Sequence, residues 1–475
     1  MDVPFLRSIA LTLSVALAPV IAMSAPVESA SAPSTVAPLH LPPITEEVLP
    51  NGLSVVTVEE HTLPLVAVRL VLMTGAVRDP KGREGVAMLT GQLLRRGTKS
   101  RTADQVDDTV ESVGGMLGVD VGMESTMISA TVPSEHTETA LDVIADLARR
   151  PTFPKEEFDL ARRRELAQLQ QDLDNPSGMA DRVLVRFFYG EGHPYSHPVE
   201  GRTASMKKLK RDDVLAFHKD TYSPSKAMLV FAGDVDPKTA KSLAEKFVGD
   251  WTGPEIKQSV VPMPAAAKGL EILLVDKADA TQAQIRISVP GISRRDPSYY
   301  ATQLANVPVG GAFTSRLVDE IRVNRGLSYS VGTRVVASRD VGAITFSSFT
   351  KTESVRELID VALKVLGDFH EKGPSEDEIA RAKKLEIGLY PGRVESVEQL
   401  GAALASMRVL GLPFDTVAKY RESMAAVTPS EAAQAAKRFP SAAGAKIVVL
   451  GKAAEIRPQL EGLGTVTLGK LKDYE

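Results

Sequence analysis

The chain has 475 residues, 43% hydrophobic and 24% charged, which is ordinary globular usage and, at roughly 150 residues per domain, room for two to four domains. Lys plus Arg number 56 against 60 Asp plus Glu, a formal net charge of −4, so there is no global basic field for capturing nucleic acid. The absence of cysteine excludes disulfides, zinc–thiolate sites, iron–sulfur clusters and thiol nucleophiles, leaving His and carboxylates as the only metal ligands.

At the N-terminus an apolar run from Ile9 to Met23 follows Arg7. It has the length of a signal-peptide core and is short for a membrane span, so residues 1–24 are expected to be an export signal. Ala22-Met23-Ser24 and Ala30-Ser31-Ala32 both suit cleavage, and an uncleaved anchor is the alternative reading. A Pro/Ala/Ser-rich tether is expected over 25–44. Export of this kind implies a periplasmic location and a mature chain without a membrane span.

Beyond the tether the chain repeats. Ala67 to Leu72, then Gly75 and Asp79-Pro80, match Ala283 to Ser288, then Gly291 and Asp296-Pro297. Leu141-Asp142-Val143 matches Ile359-Asp360-Val361, Pro154 to Glu157 matches Pro374 to Asp377, and Ala227 to Gly233 matches Ala445 to Gly451. Offsets of 216 to 220 hold in order over these landmarks, which marks a duplicated domain. The copies are expected at 45–251 and 269–475, joined by a Pro- and Ala-rich linker at 252–268. Runs of alternating polarity such as Thr126 to Val132 and Ala343 to Phe349 predict strands, and windows such as Glu156 to Asp172 predict helices. The expected fold is α+β: two duplicated domains, each a mainly antiparallel sheet covered on one face by helices.

The stretch Ser315 to Val331 carries the most chemistry. Phe313, Leu317 and Ile321 recur every four residues as the buried stripe of a helix, with Arg316 and Glu320 able to pair on its surface. Gly326 ends that helix, and Leu327, Tyr329, Val331, Thr333 and Val335 then share one face of a strand. Arg322 would project toward Tyr329, where a guanidinium and a phenol can hold a peptide carbonyl and donate to a developing oxyanion. The alternative is a surface Arg paired with Asp319 and a Tyr filling core space, and the residues alone leave both open. His193 and His197 have ligand-like spacing with Glu191 and Glu200 near, but Pro194 and Pro198 predict a loop instead of a helix. The other histidines are isolated, and Gly114-Gly115 and Gly310-Gly311 lack the Lys-Ser/Thr ending of a phosphate loop.

The run Arg-Leu-x-x-Glu-Ile-Arg-x-x-Arg-Gly-Leu-x-Tyr-x-Val beginning at Arg316 resembles a signature of the pitrilysin/insulinase family of zinc metallopeptidases. Glu47 to Leu53, the segment His193 to Gly201 and the lead-in Gly310 to Leu317 are similar to further shared segments. The resemblance implies that Arg322 and Tyr329 are the catalytic Arg/Tyr pair and that Gly310 and Gly311 belong to the substrate-binding lead-in. It also implies that Gly114 to Val121 matches the substrate-binding edge strand, with Gly118 and Val119 where the family has Asn-Ala.

The departure from the family lies on the first long helix. Active members carry His-x-x-Glu-His there, whereas this chain has Met88, Gly91 and Gln92 in those places. Met and Gln are poor zinc ligands and no carboxylate remains to take a proton from water, so no metal is expected in this chain. The family's third ligand, a glutamate, would fall within Glu165 to Asp172. The resemblance therefore implies a non-zinc subunit of a heteromeric zinc endopeptidase that acts on peptides. It would supply Arg322 and Tyr329 while a homologous partner brings the zinc, and it would be inactive alone. The alternative is a catalytically silent structural or peptide-binding paralogue.

Overall fold

Alternate burial along short β-branched segments decides where this chain forms sheet. In a computed structural model that describes Val36 and residues 39–474 apart from Ser259, twelve strands assemble into two six-stranded sheets. The expected signal and most of the tether lie outside the described residues. The first sheet contains β1 (Ile44–Val48), β2 (Ser54–Glu59), β3 (Leu65–Leu72), β4 (Met116–Val121), β5 (Thr126–Pro133) and β6 (Met228–Gly233) in the order β1-β2-β6-β3-β5-β4. The second contains β7 (Gly269–Asp276), β8 (Ala283–Pro290), β9 (Val331–Ala337), β10 (Gly342–Thr350), β11 (Gly444–Gly451) and β12 (Thr465–Lys470) in the order β12-β7-β11-β8-β10-β9. Strands β5 and β10 alternate buried and half-buried residues along their whole length, the period-2 pattern expected of a sheet with one core face.

Both sheets are mixed and mainly antiparallel. The parallel pairs are β2 with β6 in the first, and β7 with β11 and β12 with β7 in the second. The outermost strands therefore differ between copies, because β1 joins its sheet antiparallel and β12 joins parallel.

The register corrects the alignment of the copies by one residue. Arg69 pairs with Ser129 of β5 and Val230 of β6, and Arg286 pairs with Ser347 of β10 and Val448 of β11. Arg69 and Arg286 thus occupy equivalent places, whereas matching Ala67 to Ala283 sets Arg69 against Ile285. In a sheet a one-residue shift moves a side chain to the other face, and both arginines are on the face away from their own half's helices.

That face is covered as well, which the expectation of helices on one side missed. The helix Val397–Leu410 from the second copy packs on β3 and β6, and the helix Pro176–Tyr189 from the first copy packs on β8 and β11. Arg69 Nη2 donates to the Glu398 carbonyl (3.0 Å) and Arg286 Nη2 to the Ser177 carbonyl (3.0 Å). Each acceptor is the second residue of the covering helix. The two copies thus hold each other by the same arginine-to-helix bond, made twice. Val56, Val58, Val71, Met228, Val230 and Ala232 on the inner face of the first sheet join the core of the second copy through this exchange.

Among the described residues no single helix is long and apolar enough to cross a membrane. The one pair that passes by length and composition, Val397–Leu410 with Asp415–Ala426, is bent by 86° and buries Leu400, Leu404 and Val417 inside the protein.

Candidate functional site

Two places hold the residues singled out by sequence. The first is the helix Val86–Leu94, which follows Gly85 in the left-handed region at φ 97°. Asp79 caps it: its carboxylate accepts from the Gly85 N–H (2.6 Å) and the Ala87 N–H (3.0 Å). Burial pushes this carboxyl up to about 7 despite those two donors.

Met88 and Gln92 lie four residues apart on this helix and so share a face. Gln92 Nε2 donates to Glu165 Oε2 at 2.9 Å. Glu165 sits on the helix Lys155–Asp172, is 6% exposed, and has its pKa raised by burial, a shift opposed by the Gln92 amide. A cleft of about 490 Å³ opens beside them, bordered by Gly91, Gln92, Arg95, Val119 and Glu165. The sequence left the glutamate on this helix unassigned among several positions, and only the packing of the two helices singles out Glu165.

Zinc does not fit these residues. One carboxylate faces an amide, Met88 and Gln92 stand where imidazoles would be needed, and among the described residues no three His, Cys, Asp or Glu side chains gather into a metal-holding group. The position that would carry the water-activating glutamate is also filled. A Cβ placed on Gly91 would overlap Val121 Cγ2 and lie 3.6 Å from Val119 Cγ1.

Val119 and Val121 belong to β4, the terminal strand of the first sheet, bonded only to β5. Val119 faces the helix, and Gly118, like Met116 and Asp120, faces the other way. Among the described residues the outer edge of β4 has no strand partner, the arrangement that accepts an extended peptide by main-chain hydrogen bonds.

The second place is the segment around Arg322. Here the structure departs from the expected α-helix, because Val318–Asn324 winds as a π-helix and Val307–Gly311 as another. The four-residue stripe does not reach back to residue 313, which lies in the turn between the two π segments. Leu317 and Ile321 are fully buried, but Phe313 is 71% exposed. Arg316 pairs with Glu378 (2.6 Å) instead of Glu320, and Glu320 pairs with Arg325 (2.8 Å). The strand starts at Val331, so Tyr329 stands just before it, 74% exposed. The core-filling reading of Tyr329 is thereby corrected.

Arg322 and Tyr329 do meet. The Arg322 guanidinium carbon lies 4.1 Å from the centre of the Tyr329 ring and 4.8 Å from that of Phe313. Among the described residues Arg322 has no carboxylate in ion-pair reach, Asp319 included. A cation stacked on two exposed rings with its N–H groups unclaimed is poised to donate to an incoming carbonyl or anion. Phe313 is the functional neighbour that sequence reasoning misplaced, because it sits in the turn before the helix and not on it.

Gly310 is buried, and a Cβ there would come within 2.5 Å of Thr333 Oγ1 and 2.7 Å of the Thr333 backbone nitrogen, so this glycine lets the π segment lie against β9. Gly311 abuts Asn306, whose side chain accepts from Thr333 Oγ1 at 2.8 Å. His193 and His197 are in a loop, as their prolines predict: His193 Nε2 meets the Pro262 carbonyl (2.8 Å) and stacks on Tyr189, and His197 is buried.

Two family models match this chain. One is described as insulinase (peptidase family M16) over residues 54–191 and the other as the peptidase M16 inactive domain over 208–386, together about two-thirds of the sequence. The chain belongs to the insulinase family of peptidases, M16. A protein of this kind from Rickettsia bellii, named an uncharacterized zinc protease, is 29% identical over 338 residues, 70% of this chain and 80% of the relative. The uncharacterized zinc protease YmxG of Bacillus subtilis is 23% identical over 334 residues, again 70% and 80% of the two chains. Among solved structures, a peptidase M16 inactive domain from Pseudomonas fluorescens superposes with a TM-score of 0.80 at 24% identity, covering 86% of this chain and 98% of that one. A protease from Helicobacter pylori gives 0.77 at 19%, over 86% and 100%. These likenesses show the two-domain α+β family fold. At 88, 91 and 92 this family member has Met, Gly and Gln, which do not fit zinc.

Proposed function

We propose that this chain is the non-zinc subunit of a heteromeric zinc endopeptidase, exported to the periplasm, where it supplies Arg322 and Tyr329 to peptide substrates while a homologous partner subunit carries the His-x-x-Glu-His site. The observation that carries this reading is the half-buried Arg322 guanidinium, stacked against the exposed rings of Phe313 and Tyr329 with no carboxylate among the described residues to neutralise it. A chain that had lost all catalytic duty would have no need to keep a ring-stacked guanidinium without an ion-pair partner at its surface.

In this reading the Arg322 N–H groups bind the substrate carbonyl or backbone, and the Tyr329 hydroxyl donates to the oxygen that gains charge as the carbonyl becomes tetrahedral. Hydrogen bonds that strengthen as charge develops lower the barrier, and losing one such donor costs about 10²–10³-fold in rate. A solved structure described as the first half of the periplasmic protease PqqL of Escherichia coli matches 89% of this chain and 95% of its own length, with a TM-score of 0.71 at 16% identity. A protein of which such a unit is one half supports a second half of similar size as the missing partner here.

The test mixes this chain with its zinc-bearing partner and follows peptide cleavage. Tyr329→Phe is expected to lower turnover by about 10²–10³-fold while leaving co-purification of the subunits unchanged. Turnover near wild type would overturn the reading and favour the second one, a silent structural or peptide-binding paralogue, for which the free edge of β4 is the supporting observation.

A further inference from the structure

Arg322 is held differently from the arginines beside it. Arg316 donates from Nε (2.8 Å) and Nη2 (2.6 Å) to Glu378, and Arg325 donates from Nε to Glu320 (2.8 Å). Each such bond occupies a donor, and the carboxylate offsets the charge. Arg322 makes no ion pair or side-chain hydrogen bond among the described residues, and its guanidinium carbon lies over the Tyr329 ring at 4.1 Å and the Phe313 ring at 4.8 Å. A ring attracts a cation through its π face and claims none of the N–H donors, so the group is restrained and still free to bind. Phe313 buries little of itself in doing this, being 71% exposed. Its backbone is nonetheless fixed. Ala312 packs against the core of the second copy, the fully buried Ser315 donates its N–H to the Ala312 carbonyl (3.2 Å), and Arg316 bonds the Gly373 carbonyl (3.1 Å) as well as Glu378.

We propose that Phe313 is a positioning residue: carried on a turn anchored by Ala312, Ser315 and Arg316, its ring pins the Arg322 guanidinium beside Tyr329, so that one substrate carbonyl meets both donors. Phe313 acts through Arg322. The proposal rests on Arg322 and Tyr329 serving the substrate carbonyl, and adds to them the side chain that keeps the longer and more flexible of the two in place. A ring that merely covered surface would have an effect independent of Arg322, and a positioning ring has none without it.

The test has one arm in the full-length chain alone and one in the complex with the zinc-bearing partner. In the chain, isotope-labelled at arginine, the Arg322 Nε–H signal is assigned by its loss in Arg322→Lys, and the ring currents of the two stacked rings are expected to shift its proton upfield. Phe313→Leu is expected to move that signal part of the way toward an exposed arginine's position, and Phe313→Tyr to keep it. A signal unmoved in Phe313→Leu would overturn the pinning. In the complex, Phe313→Leu is expected to lower kcat/KM about 2–5-fold, the range of an exposed cation–π contact, chiefly through KM because Arg322 binds the carbonyl before charge develops on it. Tm is expected to stay within about 2 °C of wild type, and Phe313→Tyr to restore kcat/KM. In an Arg322→Met background the Phe313→Leu change is expected to have no further effect. An equal loss in both backgrounds, or full activity of Phe313→Leu where Tyr329→Phe is crippled, would overturn the role of Phe313 and leave those of Arg322 and Tyr329 standing. Wild-type activity of both Phe313→Leu and Tyr329→Phe would bring down the two readings together.

Discussion

The two copies of the domain are held together by equivalent arginines, and their surroundings differ. Arg286 is 3% exposed at its side chain, and besides the Ser177 carbonyl it donates through Nε to Asp181 (2.5 Å) and through Nη2 to Ser177 Oγ (2.8 Å). Arg69 keeps the helix carbonyl but its buried Nε has no hydrogen-bond partner, and a Cβ placed on Gly401 would lie 3.3 Å from it. Asp181 is the sixth residue of its helix, and the sixth residue of the other is Ala402. Further along, the counterparts of Leu184 and Phe188 in one helix are Ala405 and Val409 in the other. Large side chains fill the first interface, and the second leaves a cleft of about 420 Å³ lined by Val71, Met127, Ala402, Ala405 and Val409. The main-chain bond that orients the helix survived duplication in both places, and the side chains that consolidate it survived in one.

The same contrast reaches a titrating pair, and there the largest effect is expected. Asp79-Pro80 and Asp296-Pro297 are repeat equivalents. Burial raises the carboxyl of Asp79 to about 7, whereas Asp296, though partly desolvated, accepts from the Ser298 hydroxyl and N–H and is held below the usual range. A carboxyl whose folded pKa exceeds its unfolded value binds more protons when folded, so its contribution to stability is present at low pH and lost as pH rises between the two values. For Asp79 that window runs from about 4 to about 7 and the loss amounts to about 4 kcal/mol. Asp296 has the opposite sign, its contribution being lost as pH falls through its lowered value. Urea unfolding across pH 4 to 8 is expected to show Asp79→Asn losing less stability on the alkaline side than wild type. Parallel profiles would place Asp79 among ordinary caps.

A cavity comparison breaks the two interfaces next. Phe188 is 3% exposed in the filled interface, so Phe188→Ala is expected to cost about 3 kcal/mol. Val409→Ala borders a cleft that already exists and is expected to cost less than about 1 kcal/mol. Equal losses would mean that the cleft is closed by motion in solution.

How much of this was legible in the sequence follows from what each pattern measures. The α+β class and the duplication showed in period-2 runs and in landmarks such as Asp79-Pro80 and Asp296-Pro297, because strand alternation and turn chemistry are local. The approach of Arg322 to Tyr329 was legible too, since both flank the turn at Gly326. The exposure of Phe313 was not, because a residue four places before Leu317 fits the helical spacing whether or not the helix reaches back to it. The helix exchange between copies was not, because which helix covers which sheet is a long-range choice. The one-residue slip at Ala67 and Ala283 came from matching alanines, when the arginines two and three positions later carry the structural equivalence.

Asp181 itself sharpens the comparison. Removing it leaves the buried Arg286 guanidinium with neutral acceptors only, and because the Asp181 side chain is 60% exposed the cost falls to about 2 kcal/mol, below the usual price of breaking a buried pair. The converse substitution, Ala402→Asp, offers Arg69 Nε the carboxylate that Arg286 Nε enjoys, on the same turn of the equivalent helix and at the edge of a cleft with room for it. The orphaned N–H is already desolvated, so satisfying it is not offset by a new burial of the arginine. Asp120 at the cleft rim is the opposing term, since two carboxylates there repel. A net gain of about 1 kcal/mol is expected in chemical unfolding, present with Arg69 and absent in an Arg69→Met background, where the added charge has no partner. If Ala402→Asp stabilises both backgrounds equally, the gain comes from the helix surface and the pairing inferred from the other copy does not form.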